Sequence, residues 1–118
     1  MNNKSNSRRR GHDYERLIAK ELKEMGFDVV TARSESRNMD NKGIDIFGNI
    51  PFHIQCKLSK DRPNYHNLIT SPLLQDEVKS LVVFHKLATK SHKRFMTQGE
   101  YVTMTKKQFY ELIELLNK

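Results

Sequence analysis

This sequence predicts an α/β fold, one mixed β-sheet with helices on its faces, from three observations. Two stretches, Gly43-Ile44-Asp45-Ile46-Phe47 and Phe52-His53-Ile54-Gln55-Cys56-Lys57, alternate apolar and polar side chains. That is the period of a half-buried strand. Leu81-Val82-Val83-Phe84 is apolar throughout, as in a strand buried on both faces. Towards either end of the chain, apolar residues recur at helical spacing. In order these give a helix, three strands, a helix, two strands and a helix (α-β-β-β-α-β-β-α). With 118 residues the chain is long enough for one domain with its own core, placed at residues 11–118.

Residues 1–10, MNNKSNSRRR, are polar after Met1 and are expected to form a flexible basic arm. Its Arg8, Arg9 and Arg10 suit a phosphate backbone; a solubilising tail is the plain alternative. A helix follows over residues 11–25, closed by Gly26 as its C-cap glycine. Its stripe is Tyr14, Leu17, Ile18, Leu22 and Met25. Glu15 leans towards the apolar face, because Ile18, Ala19 and Leu22 lie three, four and seven positions on. A carboxylate on the border of a core needs a metal or a basic partner, and a salt bridge to a nearby Arg or Lys would satisfy it. Residues 27–31 form a strand by β-branched content. The loop 32–42, ARSESRNMDNK, is long, and long loops on a rigid sheet often carry function. Arg33 and Arg37 there could grip phosphates, with Ser34 and Ser36 as short-range donors.

Gly48, Asn49 and Pro51 are turn formers, so the two alternating stretches should pair as a tight hairpin. The expected register sets Asp45 against Gln55, Ile46 against Ile54 and Ile44 against Cys56. One face is then apolar, and the other brings a carboxylate, an amide and the Lys57 ammonium together. Beyond it, Arg62-Pro63-Asn64 marks a turn. Ser71 and Pro72 read as the N-cap and first residue of a helix carrying Leu73, Leu74 and Val78 to about residue 79. Residues 86–98 hold basic residues and no acid. They read as an exposed loop in which Lys90, Lys93 and Arg94 reach nucleic acid, or as a merely solvated one. A last strand occupies 101–104. Thr105 and Gln108 have capping-box spacing for a final helix with the stripe Phe109, Leu112, Ile113 and Leu116.

The composition narrows the function. Lys plus Arg is 21 against 14 Asp plus Glu, a net charge of +7, which favours a polyanionic partner, nucleic acid before membrane. The single cysteine excludes an intrachain disulfide and reads as a structural thiol in a reducing, cytoplasmic setting. There is no cysteine cluster to hold zinc. No apolar run approaches a membrane span, and no hydrophobic segment follows the basic N-terminus as in a secretory signal. Glu15, Asp45 and Gln55 offer hard oxygen atoms that suit Mg²⁺ or Mn²⁺. With Lys57 beside them, the set points to phosphodiester hydrolysis.

In these residues the chain resembles the PD-(D/E)XK nuclease superfamily, and within it the small Holliday-junction-resolvase-like and phage or restriction-type endonucleases. The resemblance covers most of residues 11–117 in element order. Glu15 in the first helix, Asp45 in Gly-Ile-Asp-Ile, and Gln55-Cys56-Lys57 as the tripeptide carry it. It implies a restriction-endonuclease-like core and a Mg²⁺- or Mn²⁺-dependent DNA endonuclease, plausibly a junction resolvase, with no small-molecule cofactor. It also implies that Glu15, Asp45, Gln55 and the main-chain carbonyl of Cys56 ligate the metal, that Lys57 is catalytic, that Ser34 or Ser36 has an active-site counterpart, and that the protein is a homodimer. The chain departs from the pattern twice: Gln55 stands where the tripeptide has an acid, and no proline precedes Asp45. The rival readings are a catalytically inactive nucleic-acid-binding module that keeps this fold, and a protein-interaction domain in which Asp45 and Lys57 form a plain salt bridge.

Overall fold

The computed structural model describes residues 3–73, 80–91 and 94–117. Helix α1 spans Asn3–Glu24, so from residue 3 onwards the basic N-terminal segment continues the helix expected over residues 11–25. No apolar stripe marks those first turns, but nothing in them breaks a helix, and Lys and Arg are good formers. Gly26 follows with φ 99°, the left-handed conformation that a glycine cap supplies without steric cost.

Five strands form one sheet in the order β1 (Val29–Thr31), β2 (Ile46–Gly48), β3 (His53–Ser59), β4 (Leu81–Ser91) and β5 (Arg94–Thr103). The pair β3–β4 is parallel and the other neighbours are antiparallel. Ile46 pairs with Ile54, and the Asp45 amide donates to the Ile54 carbonyl at 2.8 Å. The hairpin register expected from alternation is therefore the observed one.

Tyr14, Ile18, Ala19 and Leu22 of α1 pack on Val29, Ile46 and Ile54, with Cys56 and Phe84 against the same cluster. Leu17 and Met25 do not join it. They are exposed, and Ala19 takes the place expected of them, because the helix lies close to the sheet along its small residue. Side chains alternate along β3 and β4, so Gln55, Lys57, Val83 and His85 face away from α1.

Helix α4 (Tyr65–Leu73) covers that second face, and the expected start at Ser71-Pro72 is incorrect. The helix begins at Tyr65, where the Asn64 side chain accepts from the Asn67 amide at 3.1 Å. Pro63 and Asn64 are thus the start signal, and Pro72 is buried in the last turn. Leu74 and Val78 lie outside the described residues. Two short helices, α2 (Ala32–Glu35) and α3 (Arg37–Asn41), replace the loop expected at 32–42.

The basic loop expected at 86–98 is instead a long hairpin of β4 and β5, with Lys86 opposite Glu100. Cross-strand pairing satisfies the backbone there, so the absence of acids signalled charge and not irregularity. Helix α5 (Lys106–Leu116) has the expected capping box: Thr105 accepts from the Gln108 amide, and the Gln108 side chain from that of Thr105. The Gln108 side-chain amide also donates to the Leu81 carbonyl at 2.8 Å. The expected buried stripe is not buried. Phe109, Ile113 and Leu116 are exposed and only Leu112 is half-covered, because Gln108 turns the capped side of the helix to the sheet. Among the described residues no helix is long and apolar enough to cross a membrane.

Candidate active site

Asp45 sits between the turn after α3 and the start of β2. Its backbone is fixed from both sides: the amide donates to Ile54, and the carbonyl accepts from Ala32 at 2.8 Å. The side chain is fixed too, since Oδ2 accepts from the Cys56 amide at 2.7 Å. Burial pushes the Asp45 carboxyl up to about 6; that hydrogen bond and the charges of Lys57 and Arg33 oppose the shift, while Asp40 adds to it. The carboxylate is therefore held firmly, in a place that disfavours its charge.

Glu15 projects from α1 with its side chain 14% exposed. Burial, and then the negative charge of Asp45, push its carboxyl up to about 7 against the pull of Arg33. Arg33 Nε lies 3.6 Å from Glu15 Oε2, so the arginine read as a phosphate grip stands beside the helix carboxylate. Two part-buried carboxylates, the charge of Asp45 raising the proton affinity of Glu15 and one guanidinium only partly offsetting it, make a site short of positive charge.

Gln55 is on the second face of β3, its side-chain nitrogen near Gly43. Its Oε1 is buried and, among the described residues, accepts no hydrogen bond. An unpaired buried carbonyl oxygen costs free energy; separately, a hard cation would relieve the charge deficit of Glu15 and Asp45. Among the described residues no three His, Cys, Asp or Glu side chains converge. The carboxylate oxygens of Glu15 and Asp45 suit such an ion, while the Gln55 side chain lies on the sheet face away from α1, beside Gly43.

The other predicted residues are dispersed. Ser34 Oγ lies 2.8 Å from Thr31 Oγ1 and donates to the Thr31 carbonyl at 3.2 Å, which closes the turn into α2. Ser36 caps α3, accepting from the Met39 amide at 3.2 Å. Arg37 is exposed at the start of α3, as are Arg8 and Arg9 on α1, while Arg10 is half-buried. The side chains of Lys90 and Arg94, and all of Lys93, lie outside the described residues.

Sequence reasoning missed His85. It is 1% exposed and is the next strand position after the run Leu81–Phe84, with its Nε2 and Nδ1 each 2.8 Å from the hydroxyls of Ser59 and Tyr65. In the parallel register it neighbours Lys57. A histidine directly after an apolar strand was the available signal.

No curated protein and no solved structure matches the chain. A family model described as archaeal Holliday junction resolvase (hjc) matches residues 6–105, which takes in most of α1, the whole sheet and every residue of the candidate site. The chain belongs to the archaeal Holliday junction resolvase family, metal-dependent DNA endonucleases of the PD-(D/E)XK superfamily with this mixed five-stranded sheet between helices.

Proposed function

We propose that this chain cleaves four-way DNA junctions as a cytoplasmic homodimer, with Mg²⁺ or Mn²⁺ held by Glu15, Asp45, the Gln55 side-chain oxygen and the Cys56 carbonyl. The observation that supports this set is the pair of part-buried carboxylates, Asp45 fixed by the Cys56 amide and Glu15 facing it from α1; among the described residues the buried Gln55 Oε1 has no hydrogen-bond partner. When bound, the ion supplies Lewis-acid charge to the scissile phosphate. The chain's own residues do the rest. The Cys56 amide orients the Asp45 carboxylate, and Arg33 tempers the repulsion between Glu15 and Asp45. The Lys57 ammonium offers positive charge and protons to the phosphate as negative charge develops on it. Arg8, Arg9 and Arg37 are exposed and draw the DNA backbone in. Lys90, Lys93, Arg94 and the hydroxyls of Ser34 in α2 and Ser36 at the cap of α3 are proposed further DNA contacts.

Cleavage of a four-way junction, linear duplex, single strand and supercoiled plasmid in Mg²⁺ and in Mn²⁺ tests the reading. Paired symmetric nicks in the junction are expected. Gln55 in place of an acid favours one second reading, the inactive DNA-binding module. Salt-sensitive junction binding without any cutting in either metal would establish it instead.

The dimer has separate support. Phe109, Ile113 and Leu116 of α5 are left uncovered by this chain's own fold, and apolar side chains of this size on one helix suit a partner. Sedimentation at working concentration is expected to give a dimer; a monomer alone would remove that part of the proposal.

A further inference from the structure

Beside Lys57, on the sheet face away from α1, lies a hollow of about 350 Å³ lined by Arg62, Tyr65, His85, Leu87, Tyr101 and Thr103 among others. Lys57, His85 and Tyr101 occupy one row across β3, β4 and β5. Two strand spacings, roughly 10 Å, therefore separate the lysine from the tyrosine. The hollow holds aromatic rings, an exposed guanidinium and an aliphatic wall, the combination that takes a nucleobase with its phosphate.

Its floor is set in advance. Ser59 Oγ donates its one proton to the Asp61 carbonyl at 2.7 Å. It therefore accepts from the Nε2–H of His85, whose Nδ1 is left to accept from the Tyr65 hydroxyl. Burial lowers the imidazole's proton affinity, which agrees with the neutral ring that this chain of donors requires. Ser59, His85 and Tyr65 thus use their hydrogen bonds on one another. A base entering above them is held by its ring face and not read by its edge.

Tyr101 supplies that ring face. It is 53% exposed, and one side of its phenol lies so close over Gly99 that a Cβ there would meet the ring at 2.5–2.9 Å. Glycine at this position leaves room for the ring to lie down along its own strand, with its other face open to a ligand.

We propose that this hollow binds an unpaired nucleobase at the branch point of the DNA, stacked on Tyr101, with Arg62 on its phosphate. The proposal rests on the junction-resolvase reading and gives it a structural basis. Strands part at a branch point, so a base there is freed from pairing more cheaply than one inside a duplex. A site that stacks without edge readout accepts any of the four bases. It selects DNA by its branching.

The test is a cycle of base removal against ring removal. An abasic residue is placed in turn at each nucleotide flanking the branch point, and binding is measured without divalent metal so that no strand is cut. At one position the wild-type protein is expected to bind about tenfold more weakly than to the intact junction. Tyr101→Ala should bind intact and abasic junctions alike, at the weaker level, and Tyr101→Phe should keep the wild-type difference. Wild-type protein indifferent to the missing base at every position overturns the hollow, and needs no variant to do so. So does Tyr101→Ala that still discriminates. Linear duplex separates the two readings: protein that prefers the junction yet ignores the missing base overturns the hollow alone, and protein that binds junction and duplex alike overturns both.

Discussion

Lys57→Ala is expected to reduce junction cleavage by roughly 10²–10⁴-fold while leaving the junction bound. The lysine is half-buried on β3, and its charge reaches Asp45 closely enough to draw that carboxyl down. Its ammonium is therefore within reach of Asp45 and not out among the surface lysines. Single-turnover cleavage isolates this effect, because it excludes product release. Binding without divalent metal should lose only about one unit of salt dependence, the share of one phosphate contact. Arg→Lys or Lys→Arg exchanges are not equivalent here: a guanidinium is planar and larger, so Lys57→Arg should recover binding and little of the rate. Cleavage unchanged in Lys57→Ala would remove the lysine from the reaction.

Asp45→Asn is expected to abolish metal-dependent cleavage and yet stabilise the metal-free protein at alkaline pH. Asp45 is pushed up to about 6 and Glu15 to about 7, above ordinary carboxyl values, so the folded state resists ionising them. The sign follows from linkage: where the folded state binds more protons than the unfolded chain, stability falls as pH rises. The cost is fully present above the folded values near 7 and 6. It declines as pH falls through them and vanishes at about pH 4, where the unfolded carboxyls also take up protons. Asparagine is neutral at every pH and can keep the bond from the Cys56 amide. Its melting point in the absence of metal should exceed wild type by roughly 5 °C at about pH 8, and the gap should close towards about pH 4.

Adding Mg²⁺ reverses the order. Saturating ion, at about a hundredfold over its Kd, stabilises the wild-type protein by roughly 2.7 kcal/mol, and a variant lacking the central ligand should gain little. Thermal melts at two pH values, with and without Mg²⁺, read all of this without any nuclease assay. A variant that melts below wild type at alkaline pH, or gains equally from Mg²⁺, would dissociate Asp45 from the metal.

What was legible in the sequence was the part set by alternation. Ile44, Ile46 and Ile54 must all be buried together, which leaves one register for the hairpin and puts Asp45 opposite Gln55. Glu15 was legible because its neighbours on α1 are apolar. Periodicity, however, shows which residues share a face and not whether another element covers it. Phe109, Ile113 and Leu116 have perfect helical spacing and still lie exposed. Pro72 misled in another way. A proline after a serine is a good helix start in isolation, but it is tolerated in the last turn of a helix already nucleated at Asn64. The His85 cluster was beyond reach because its partners come from different elements: the parallel β3–β4 pairing brings in Ser59, and the packing of α4 on β4 brings in Tyr65.

Cys56 has a practical consequence. Its amide orients Asp45 while its thiol packs against the core, and burial, with the charges of Asp45 and Glu15 adding to it, holds the thiol's proton affinity high. Alkylating reagents attack thiolates, so the native chain should be a quiet background for maleimide chemistry. A cysteine introduced on the exposed side of α1 or α5 would then be the one position to take a fluorophore. Opening and closing of a labelled junction complex could be followed without first removing the residue between Gln55 and Lys57.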